Sequence, residues 1–76
     1  MNYIWTVVIR YKGEIISLKA FKKREDALSC LESIAFEATA DLPGDEADHF
    51  VAGVLATHRL EIGEAITTII MTPYRE

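Results

Sequence analysis

Seventy-six residues, 50% hydrophobic and 26% charged, make one globular domain, 1–76, and exclude a disordered chain. The single cysteine, Cys30, rules out an intrachain disulfide and a cysteine-based zinc cluster, and a reducing, cytoplasmic setting is expected. With a formal net charge of −4, a start that does not read as a secretory leader, and no apolar run near the ~18 residues of a membrane span, no membrane association is expected.

Lys12-Gly13 separates two runs rich in β-branched and aromatic residues, Tyr3 to Tyr11 and Glu14 to Phe21, so residues 1–21 read as a β-hairpin. A glycine at the second turn position supplies the positive φ that a two-residue connection needs. If Tyr11 pairs with Glu14, then Ile9 faces Ile16, Val7 faces Leu18 and Trp5 faces Ala20, an almost wholly apolar side. The core expected from this register is Trp5, Val7, Ile9, Ile16 and Leu18. The other side is mixed: Arg10 with Ile15, Val8 with Ser17, Thr6 with Lys19 and Ile4 with Phe21. A one-residue slip through a three-residue loop with a bulge would exchange the two sets.

Near residue 24 the hydrophobic period changes from two to about 3.6. Ala27, Leu28, Leu31, Ile34, Ala35 and Ala38 form one stripe, with Glu25 and Asp26 in the first turn where the helix dipole favours acids, and predict a helix over 23–40. Asp41-Leu42-Pro43-Gly44 breaks it. A second stripe at Ala47, Phe50, Val51, Val54 and Leu55 predicts a helix over 45–58, with Asp45 as N-cap and Asp48 three residues on. Beyond Arg59 alternation takes over. The region 60–72 reads as a strand from Ala65 to Thr72, to which Leu60-Glu61-Ile62 can pair across Gly63-Glu64 as a short fourth strand. Pro73 is expected to close that strand and 73–76 to fray as a tail. The fold expected is α+β: a two-layer sandwich of a three-stranded antiparallel sheet, four-stranded if 60–62 joins it, with two helices on one face in the order β-β-α-α-β.

Chemistry is thinly represented. His49 and His58 are nine residues apart, with no His-x3-His or His-Glu-x-x-His spacing, so no metal site is expected. His58 falls near the centre of the second helix's apolar stripe, where a general base in a pocket with Tyr3 or Tyr11 is conceivable, yet capping at the helix C-terminus is the stronger reading. Cys30 flanks the first stripe with no base beside it in sequence and reads as a packing residue. Asp41, Asp45, Glu46 and Asp48 lack the frame of a calcium loop, and the isolated glycines form no phosphate cradle. No cofactor, no catalytic residue and no enzymatic activity are expected.

Charge is uneven along the chain. Residues 1–24 carry six cations against one acid, whereas residues 25–50 carry eight acids and no Lys or Arg. Lys19, Lys22, Lys23 and Arg24 cluster where the hairpin enters the first helix and support an alternative reading as an anion or nucleic-acid site. The acidic balance and the lack of paired exposed aromatics disfavour nucleic acid. Phe36 falls opposite the first helix's apolar stripe; either the second helix covers it, or it joins a surface that one copy cannot bury. A chain this short buries only about 60% of its unfolded surface, which leaves oligomerisation as a ready source of stability. A small protein-binding domain is therefore expected, acting as a homodimer or as a regulatory, inhibitory or accessory protein on a larger protein. Its surface is the mixed sheet face with Ile4, Val8, Arg10, Ile15 and Phe21, together with Phe36.

Overall fold

The computed structural model describes residues 2–74, in the order β1 (Asn2–Tyr11), β2 (Glu14–Phe21), α1 (Arg24–Ala38), α2 (Gly44–Thr57), β3 (Arg59–Ile62) and β4 (Ala65–Tyr74). The four strands form one antiparallel sheet ordered β2-β1-β4-β3, so the short fourth strand is present and the fold is α+β.

Lys12 (φ 52°) and Gly13 (φ 84°) both have positive φ, the pattern of a type I′ connection, and this turn pins Tyr11 opposite Glu14 and Arg10 opposite Ile15 as expected. One residue further the ladder slips. Ile9 pairs with Ser17, which leaves Ile16 as an extra residue in a β-bulge. Because side chains alternate with period two, that one residue exchanges the two sides of β2: Ser17, Lys19 and Phe21 stand beside Ile9, Val7 and Trp5, while Leu18 stands beside Val8 and Ala20 beside Thr6. Leu18 and Ile16 are therefore not core, and both are mostly exposed. Phe21 moves to the side of Trp5, away from Ile4.

On β4, Val7 faces Ile69 and Ile9 faces Thr67, and Thr67 in turn faces Leu60 of β3. Leu31 and Ala35 of α1 and Val51 and Val54 of α2 pack on Leu60, with Ile34, Leu55 and Ile69 against them. Both helices thus lie on the side of Val7, Ile9 and Leu60. The reverse side, with Val8, Leu18 and Thr68, is covered by neither helix.

The 3.6-residue stripe is realised in α1, where Ala27, Leu31 and Ala35 are fully buried, and in α2, where Ala47, Val51 and Val54 are buried. α1 ends at Thr39, whose hydroxyl donates to the carbonyls of Ala35 (3.0 Å) and Phe36 (3.3 Å). α2 begins one residue before the expected N-cap: Pro43 occupies that place without a side-chain cap, and Asp45 and Glu46 sit inside the first turn, complementing the dipole instead. Pro73 does not end β4, which runs on to Tyr74 opposite Asn2. Beyond Thr68 no β3 residue pairs with β4, so this half of the strand is an edge, where proline is tolerated. Of the expected frayed tail, Arg75 and Glu76 lie outside the described residues.

The bulge makes a direct stability prediction. Leu31→Ala should cost about 2–5 kcal/mol in urea unfolding, whereas Leu18→Ala should change stability by no more than about 1 kcal/mol. A loss of several kcal/mol at Leu18 would place that side chain under α1 and remove the bulge.

Candidate functional site

Two surfaces go beyond what folding requires. The first is the uncovered side of the sheet. Val8 is buried at its centre although no helix lies over it, because Leu18 and Thr68 stand directly beside it on the neighbouring strands. Around this centre are Ile15 (52% exposed), Ile16 (62%), Leu18 (60%) and Ile70 (44%), four large aliphatic side chains left in water. Ile15 faces Arg10, and Ile16 precedes the inward Ser17, so the bulge turns both isoleucines outward. Arg10 and an Arg59–Glu61 ion pair, in which Arg59 Nε donates to Glu61 Oε1 at 2.8 Å, supply polar groups at the rim.

Of the residues expected on this face, Ile4, Val8, Arg10 and Ile15 come together on it, and Phe21 and Phe36 do not. Phe21 is half-buried on the helix side, and Phe36 sits in α1, in the other layer, still nearly half exposed. Ile16, Leu18 and Ile70 were missed. Ile66, Thr68, Ile70 and Thr72 share one side of β4, but the other side also carries apolar residues, so alternation alone does not identify the open one.

The second surface is a cleft of about 650 Å³ between α1 and the β1–β2 half of the sheet. Val7 and Ile9 of β1 and Ser17, Lys19 and Phe21 of β2 form its sheet wall; Asp26, Ser29, Cys30, Ser33, Ile34 and Glu37 line it from α1. It stays open because the bulge presents Ser17 to a helix face that offers Ser29, Cys30 and Ser33, and these small side chains do not fill the gap. This cleft faces α1, not α2, and its lining contains neither a histidine nor a tyrosine. Cys30 is half-buried in that lining. Asp26 and Glu37 are a helical distance of about 16 Å apart, too far to act as a carboxylate pair.

His58 ends α2 in the left-handed conformation (φ 57°), and its carbonyl accepts from the Ile69 N–H at 3.2 Å. It is the backbone that turns the chain from helix into β3. His49 Nδ1 lies 3.4 Å from the Asp45 carbonyl on the exposed side of α2. Of the basic cluster, all four residues are exposed: Lys19 lines the cleft with Asp26 and Glu37, and Lys22, Lys23 and Arg24 lie around the start of α1. Among the described residues, no group of three His, Cys, Asp or Glu side chains is placed to hold a metal ion, and no helix is long and apolar enough to cross a membrane. Compared with known protein families, curated proteins and solved structures, the chain matches none of them.

Left-handed backbone disfavours any residue with a Cβ, so His58→Gly should stabilise the protein by about 0.5–1 kcal/mol in thermal or urea unfolding. A drop in stability would mean that the imidazole makes packing contacts worth more than the relieved strain.

Proposed function

We propose that this chain is a small, non-enzymatic protein-binding domain that works through the uncovered sheet face and seats a second copy of itself there. The observation that supports this is the row Ile15, Ile16, Leu18 and Ile70 around the buried Val8. Each of these half-exposed aliphatic side chains contributes roughly 1 kcal/mol when its remaining surface is buried, before association costs are met. Strands of this length, at a rise of about 3.3 Å per residue and a spacing of about 4.8 Å, give a face of roughly 500 Å² per copy. Two such faces approach the ~1,000 Å² that a specific interface requires.

Charge placement permits a second copy. The acids of residues 25–50 lie on and between the helices, behind the sheet. Two sheets packed face to face sit about 10 Å apart, with each helix layer a further ~10 Å out. The two acidic layers are then separated by more than the ~8 Å Debye length at physiological salt, and their repulsion is screened.

Sedimentation equilibrium tests the pairing. The wild type is expected to be dimeric at micromolar concentration, and Leu18→Asp to be monomeric yet folded, with a lower melting temperature because it loses the stability that pairing adds. A wild type that stays monomeric at high micromolar concentration, unaltered by Leu18→Asp, overturns the homodimer and leaves a larger protein as the partner.

A further inference from the structure

Trp5, expected in the core, is only half-buried, and so are Tyr3 and Phe21. The three rings share the helix side of the sheet, at the end away from the Lys12-Gly13 turn. The bulge brings Phe21 opposite Trp5 on one flank, while Met71 of β4 stands opposite Trp5 on the other and Pro73 stands opposite Tyr3. The Tyr3 and Trp5 ring centroids are 6.5 Å apart with their planes tilted by 55°, so the two rings are not stacked on each other. None of the three belongs to the packed core, and Met71 beside them is 51% exposed.

Phe21 leads directly into Lys22, Lys23 and Arg24, and Lys19 precedes it by two residues on the same side of β2. All four cations are exposed, and among the described residues none of them is held in an ion pair. The strands that carry the rings have no charged residue from Asn2 to Val8 or from Ile66 to Tyr74. The acids nearest in sequence are Glu25 and Asp26 in the first turn of α1, two against four cations. Half-exposed rings on neighbouring strands beside unpaired cations are what single-stranded nucleic acid uses: bases of any identity stack on the rings, and the phosphates lie along the cations. An acidic peptide would use the cations alone, and a duplex keeps the faces of its bases stacked inside.

We propose that this chain binds a short stretch of single-stranded nucleic acid, its bases on Tyr3, Trp5 and Phe21 and its phosphates on Lys19, Lys22, Lys23 and Arg24. The site lies on the side of the sheet opposite the pairing face, so it does not depend on whether two copies pair.

Trp5 is the only tryptophan, and its fluorescence reports the site directly. The test is a titration of the full chain at low salt with eight-nucleotide oligothymidylate and oligouridylate. Both are expected to quench Trp5 saturably, with a dissociation constant of about 100 μM or tighter; the tighter of the two identifies DNA or RNA as the source. A duplex of the same length and octaglutamate should leave the fluorescence unchanged. Release of counterions from about three phosphates should weaken binding roughly a hundredfold for a tenfold rise in salt. Phe21→Leu, and separately Lys22→Glu combined with Lys23→Glu, should each weaken it about tenfold or more, with folding checked by circular dichroism. Should Phe21→Leu fail to fold, the double lysine variant decides, since both of its positions are exposed. No saturable quenching, equal quenching by octaglutamate or by the duplex, insensitivity to salt, or an unaltered affinity of the double lysine variant would overturn the proposal.

Discussion

The extra residue at Ile16 governs the surfaces of this protein. It lies in a strand beside a turn that is otherwise regular, and its effect is one of parity: everything from Ser17 to Phe21 is turned over relative to β1. Without it, Leu18 would lie beside Val7 under α1; with it, Lys19 lies there and Leu18 stands in water. Burying an aliphatic side chain of that size is worth about 1.5–3 kcal/mol, so the bulged register forgoes a sizeable contribution to the core. What it gains on the helix side is Phe21, half-buried beside Trp5, at the point where the chain leaves the sheet for α1. The apolar open face and the unfilled cleft are two results of this one inserted residue.

This also explains where reading the sequence succeeds and where it fails. The Lys12-Gly13 turn, the two helical stripes and the Gly63-Glu64 connection are legible because each is a local signal: a glycine that supplies positive φ, or a period of 3.6 that nothing nearby contradicts. The bulge is not legible, because Ile15-Ile16 is apolar in either register. β4 hides the open face for the same reason, since Ile66 and Ile70 on one side are matched by Ile69 and Met71 on the other. At α2, Asp45 looks like an N-cap, yet the helix starts at Gly44 and the carboxylate serves inside the first turn. For the candidate site, Ile4, Val8, Arg10 and Ile15 keep their side because β1 and the turn-proximal part of β2 precede the slip, and Phe21 changes side because it follows it.

Several of the charged groups support folding and surface. Lys12 reaches Glu64 at 3.6 Å, and the Lys12 N–H donates to the Glu64 carbonyl at 3.3 Å, so the tips of the two hairpins are tied together. Both side chains of that pair are mostly exposed, which limits its worth to a fraction of a kcal/mol. His58 is held by its backbone, and Cys30 lines the cleft beneath α1. A reacting centre needs a nucleophile or acid held by a second group and oriented by a third. The most exposed of the large hydrophobic side chains, Ile16 and Leu18, are aliphatic and lie on β2.

Edges and binding are connected by the same physics. An exposed strand edge invites any extended chain, and proteins blunt such edges with short strands, charge, proline, bulges and inward-pointing lysines. This sheet uses all five: a short β3 with Arg59 and Glu61, Pro73 in β4, and on β2 the bulge together with Lys19 on the helix side. The devices on β2 differ from the others in being partial. The bulge bars only the turn-proximal end, and Lys19 stands on the helix side at the cleft without closing the edge. The stretch from Ser17 to Phe21 is therefore the least obstructed edge of the sheet, because a single inserted residue at Ile16 both twists the turn-proximal end away and restores a regular strand beyond it.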